Sequence, residues 1–132
     1  MAYANAGDLY RQQSAMTASP GELTLMLFDG CIKNLKLAKI HINGKDYAKT
    51  NETLQKAQAI IAELIHSLDM RYDIAKQLIQ LYTFILDTVV QANVKKDLQK
   101  TDDALGLMED LRGTWKQAIR INRAKQSGSE FA

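Results

Sequence analysis

Apolar residues recur at helical spacing over four long stretches of this chain, and short polar punctuation separates them. The first stretch follows Pro20, the only proline. Ser19 as N-cap, Pro20 at the first helical position and Glu22 at the third form a capping box, so a helix starts there. It is predicted to run to about Ile42 and stop at Asn43-Gly44, residue types that tolerate the left-handed conformation of helix ends. A second helix spans about Asp46 to Leu68, with Leu54, Ala57, Ile61, Leu64, Ile65 and Leu68 on one face, and Asp69-Met70-Arg71 forms the turn. The third, about Asp73 to Val94, carries Ile74, Leu78, Leu81, Ile85 and Val89 as its core stripe, widened by Leu86 and Val90. The fourth, about Leu98 to Arg123, presents Ala104, Met108, Leu111, Trp115, Ala118 and Ile119. Gly106 and Gly113 weaken it by about 1 kcal/mol each unless packing or a close backbone approach offsets them.

Four such helices joined by short turns predict an all-α, antiparallel up-down four-helix bundle, because short connections force neighbours to run in opposite directions. Residues 1–18 hold too few apolar residues to fold alone and are expected to form a mobile cap, docking through Leu9, Tyr10 and Met16. The bundle is assigned to residues 19–125. Residues 126–132 are read as a flexible tail, the closing "SGSEFA" resembling a linker or cloning junction. No strand-period segment, internal repeat or low-complexity run is apparent.

The first helix has more apolar surface than a single core stripe needs. At 100° per residue, Leu27, Phe28, Cys31, Leu35, Ala38 and Ile42 form one arc. Met26 and Leu37 lie on the flank near Leu23, and Leu25 and Ile32 extend the other way. Mainly Glu22, Asp29, Lys33 and Lys36 remain as the wet strip. The third helix shows a weaker excess in Ile79, Tyr82, Leu86 and Val90. Either neighbours wrap both helices, or the excess forms a groove for a partner's amphipathic helix, covered by the N-terminal segment when empty.

Length and composition narrow the classes. With 132 residues, 46% hydrophobic and 24% charged, the chain suits one soluble domain with its own core. A net charge of +2 gives no global electrostatic reason to expect nucleic acid. No signal-peptide pattern or membrane-spanning stretch is read, so no stable membrane insertion is expected. The lone Cys31 suits a reduced, cytoplasmic setting and a buried structural role.

The search for chemistry returns little. Gly44-Lys45 lacks the rest of a phosphate-binding loop. Glu63-x-x-His66 matches half of a di-iron carboxylate site, but His41 follows Ala38 three residues on and supplies no second half, so no metal and no other cofactor is expected. Arg112, Lys116, Arg120, Arg123 and Lys125 read as a solvated helix end that favours the dipole. No catalytic residue is assigned.

The blocks "TASPGELTLMLFDGCIKNLKLA", "KTNETLQKAQAIIAELIHSLD", "QANVKKD" and "LRGTWKQAI" resemble the flagellin-specific export chaperones, the FliS family, in order from Tyr10 to Ile119. This resemblance implies a non-enzymatic helical bundle with a short N-terminal cap. It implies a chaperone that holds the C-terminal segment of flagellin in the cytosol, prevents premature polymerisation and assists delivery to the flagellar type III export gate. The client would occupy apolar grooves, for which Leu25, Phe28 and Ile32 on the first helix and Tyr82, Leu86 and Val90 on the third are the candidates. Leu9-Tyr10 corresponds to the family's N-terminal tyrosine motif, tied to the cap and to export-gate docking. The chain departs from the family where Phe28-Asp29-Gly30 replaces Tyr-Asp-Gly, and where Asp87-Thr88 stands in place of paired arginines. The competing reading is a generic helical adaptor or dimerisation module, and weak self-association of the empty chaperone is compatible with either.

Overall fold

The computed structural model describes residues 20–130. They form four helices: α1 (Pro20–Asn43), α2 (Tyr47–His66), α3 (Asp73–Lys95) and α4 (Leu98–Glu130). The Ser19 cap and the expected N-terminal cap segment lie outside these residues. The helices close a ring in which α1 packs on α2, α2 on α3, α3 on α4 and α4 on α1. Side-chain bonds give the directions. Glu22, Asp29 and Lys39 of α1 pair with Arg123, Arg112 and Asp102 of α4, so the two run antiparallel. Asn93 near the end of α3 donates to Asn51 near the start of α2 at 2.8 Å.

The core follows alternating spacings of three and four residues. Phe28, Cys31, Leu35 and Ala38 on α1, Thr50, Leu54, Ala57, Ile61 and Leu64 on α2, and Tyr82, Ile85, Val89 and Ala92 on α3 are all buried. This heptad-like pattern turns each stripe toward the bundle axis, as in left-handed coiled packing. On α3 the stripe differs from the expected one. Ala75 and Tyr82 are buried, whereas Ile74 is 60% exposed and Leu81 lies at the margin. The Tyr82 ring meets Phe28 of α1 in the interior, with centroids 6.4 Å apart. Truncating any fully buried aliphatic side chain here costs about 2–5 kcal/mol.

The α1–α2 and α3–α4 turns use one device. At each, a lysine adopts the left-handed conformation, Lys45 with φ 57° and Lys96 with φ 50°. The following aspartate closes a Schellman motif, Asp46 N–H to the His41 carbonyl and Asp97 N–H to the Ala92 carbonyl, each 2.9 Å. That aspartate then caps the next helix: Asp46 accepts from Lys49 N–H and Asp97 from Lys100 N–H, both 3.1 Å. The buried Thr50 and Thr101 hydroxyls donate to the Asp46 and Asp97 carbonyls at 2.8 Å. Lys45-Asp46-x-x-Lys49-Thr50 and Lys96-Asp97-x-x-Lys100-Thr101 are thus a short repeat, contrary to the expectation of none. The left-handed residue follows Asn43-Gly44 instead of lying within it, since the six-residue ring of the motif runs from His41 to Asp46 and places Lys45 at its left-handed position.

α4 continues from the expected end at Arg123 to Glu130. Gly106 and Gly113 receive no packing compensation: a Cβ at either would meet nothing within 4 Å. Among the described residues no helix is long and apolar enough to cross a membrane.

Candidate functional site

The six candidate groove residues separate into three places. Phe28, Ile32 and Tyr82 are core, 1%, 8% and 2% exposed. Leu25 is half-buried and shares its flank of α1 with Asp29, four residues on, which pairs with Arg112 of α4. It therefore faces the α1–α4 seam. Leu86 is half-buried and Val90 is exposed, and both belong to a second stripe of α3: Ile79, Thr83, Leu86, Val90 and Val94. Asn93, three residues from Val90, bonds to Asn51 of α2, so this stripe borders the α2–α3 seam. In a four-membered ring these two seams are opposite, and the six residues do not line one groove.

Electrostatics distinguishes the seams. Across α1–α4, Arg112 with Asp29, Arg123 with Glu22, and Lys39 with Asp102 at 2.6 Å form a ladder of ion pairs. The basic run on α4 is thus partly engaged with α1, and with α4 extending to Glu130 it does not lie in the last helical turn. The second stripe of α3 instead leaves apolar residues open to solvent. Val94 is 78% exposed and Val90 40%. Sequence reasoning missed Val94 because it lies next to the lysine turn, though its spacing of four from Val90 was legible.

An apolar pocket of about 190 Å³ opens at the end of the bundle where α1 begins, α2 ends and α3 begins. Leu64, Leu68, Ala75, Leu78, Tyr82 and Trp115 line it. Trp115 is fixed by its indole N–H, which donates to the Gly21 carbonyl at 2.9 Å, and by an edge contact with Phe28 at 6.3 Å. At the rim, Arg71 grips the Asp69 carboxylate at 2.6 Å, and this bond lowers the Asp69 pKa. Burial raises the Tyr82 hydroxyl to about 12.

Cys31 is fully buried, and desolvation raises its thiol to about 12, so it is neither nucleophile nor ligand at neutral pH. Glu63 and His66 are both exposed on α2. Among the described residues no group of three or more His, Cys, Asp or Glu side chains could hold a metal ion.

The profile of the family described as "Flagellar protein FliS" matches residues 2–122. The chain is 40% identical over 129 residues to the flagellar secretion chaperone FliS of Bacillus subtilis (strain 168), covering 98% of this chain and 97% of that one. It is 34% identical over 109 residues to the flagellar secretion chaperone FliS of Salmonella typhimurium, covering 80% and 81%. In fold it resembles a crystal structure of a bacterial flagellar chaperone, with a TM-score of 0.72 at 22% identity, covering 85% of this chain and 96% of the other.

Proposed function

Because this chain belongs to the FliS family of flagellar secretion chaperones, which are not enzymes, we propose that its client is the C-terminal segment of flagellin. It binds that segment in the cytosol, prevents premature polymerisation and assists delivery to the flagellar type III export gate. The observation that carries this reading is the second apolar stripe of α3, in which Leu86, Val90 and Val94 lie beside a core that does not use them fully. An amphipathic client helix supplies the matching face.

The client orders as it binds, at a cost of roughly 2–5 kcal/mol or more of the gross interaction, so the contact must be extensive and largely apolar. Leu86 and Val90 are the direct contacts assigned on α3, and Leu25 is a contact on the opposite seam for a client that wraps the bundle. Phe28, Ile32 and Tyr82 hold these surfaces in place from the core. Leu9 and Tyr10, outside the described residues, are assigned to the cap and to export-gate docking.

The test is titration with a peptide covering the C-terminal segment of the host's flagellin, followed by calorimetry and circular dichroism. One-to-one binding with a negative heat-capacity change and gained helix is expected. A folded protein that does not bind the peptide refutes the reading.

A further inference from the structure

We propose that the pocket at the start of α1 is an anchor site that receives one neutral apolar side chain of a bound polypeptide, whose main-chain carbonyl accepts a hydrogen bond from the Tyr82 hydroxyl. The inference rests on the client reading above and adds a contact point away from the α3 stripe.

Size sets the first limit. A pocket of about 190 Å³ fits a single side chain and is too small for a helix; an apolar cavity of about 150 Å³ takes a benzene. Chemistry sets the second. No fully buried side-chain nitrogen or oxygen of the described residues lacks a partner. Tyr82 is only 2% exposed and makes no hydrogen bond to a described residue. Its oxygen therefore reaches the open space of the pocket it lines. Buried tyrosine hydroxyls ordinarily find a partner, so the pocket offers one unused hydrogen-bonding group within an apolar wall. Arg71 occupies the rim carboxylate of Asp69, which leaves that side without a free charge and selects a neutral anchor.

The rim argues for a macromolecular occupant. Met70, Tyr72 and Ile74 surround the α2–α3 turn with exposures of 45%, 62% and 60%, and Tyr72 and Ile74 also line the pocket. A small molecule would leave this collar in water. A polypeptide covers it, with an anchor in the socket and a ring of contacts that excludes solvent.

Two variants test the proposal with the flagellin C-terminal peptide as probe. Tyr82→Phe keeps the ring in the core and removes only the hydroxyl; peptide affinity is expected to fall about fivefold, the net effect of one hydrogen bond. Ala75→Leu fills the pocket from α3, and a loss of about tenfold or more is expected with melting and helicity retained. If Ala75→Leu fails to fold cooperatively, Tyr82→Phe decides. Wild-type binding that both folded variants match overturns the pocket and leaves the client reading standing. No binding by the wild type refutes both. A rise in affinity in Tyr82→Phe with a lowered melting temperature identifies the occupant as the chain's own residues 1–19 and overturns a partner's anchor.

Discussion

The indole N–H of Trp115 donates to the main-chain carbonyl of Gly21 at 2.9 Å and ties α4 to the first turn of α1. Trp115 also packs edge-on against Phe28. Trp115→Phe removes the bond and part of the ring contact, and is expected to destabilise the bundle by about 1–2 kcal/mol. Urea unfolding checks this as a lower midpoint at unchanged slope.

The two left-handed lysines are expected to respond differently to glycine. Lys45 is exposed and its side chain contributes no capping bond, so Lys45→Gly relieves the left-handed strain and stabilises by about 0.5–1 kcal/mol. The Lys96 ammonium donates to both the carbonyl and the side-chain oxygen of Asn93 at 2.7 Å. Lys96→Gly forfeits those bonds and gains less. Thermal melts of the two variants give the comparison.

Gly113→Ala is expected to stabilise by up to about 1 kcal/mol, since the added methyl enters open space within a helix. Gly30→Ala gains less, because its Cβ would meet Ile60 Cδ1 at 3.3 Å. Chemical denaturation of both variants separates helix propensity from packing.

Stability should fall as pH rises above about 9. Burial raises Cys31 from 9.0 and Tyr82 from 10.0, each to about 12. Between these values the native chain holds protons that the unfolded chain has released, so higher pH favours unfolding. The limiting slope is about 1.4 kcal/mol per pH unit for each group. Cys31→Ala removes one contribution and flattens the loss between pH 9 and 10, measured by denaturant titration at each pH.

Asp29→Asn breaks a partly exposed pair with Arg112 and is expected to cost no more than about 1 kcal/mol. The loss should shrink in high salt. Val90→Asp places a charge on the exposed α3 stripe and should weaken peptide binding with little effect on melting. Ile32→Asp, a reasonable groove test from the sequence, would instead charge the core and unfold the bundle.

Much of the fold was legible because α2 carries Leu, Ile and Ala at spacings that one face satisfies, and because the core arc of α1 could be read beneath its surplus apolar flanks. On α3 the choice failed by one position: Ile74 and Leu81 look more apolar than Ala75 and Tyr82, but cavity shape, which a hydrophobicity pattern does not encode, selects the latter. The site was less legible for a related reason. A surplus of apolar residues on a helix wheel does not say which neighbour covers each flank; that depends on the ring order of the helices. Phe28 and Tyr82, both named as groove candidates, instead meet in the interior. The turn repeat is not visible in a hydrophobicity pattern because its shared spacing joins capping residues rather than apolar ones.

The two Lys-Asp turns lie at the same pole of the bundle, together with the bond between Asn51 and Asn93. The opposite pole has the longer link over residues 67–72 and the entry of the chain into α1. This gives the molecule a stiff pole and a soft one. Amide hydrogen exchange should therefore be slowest around Thr50 and Thr101 and quicken toward Leu68 and Ala75, so that the anchor pocket occupies the region of the bundle that deforms most cheaply.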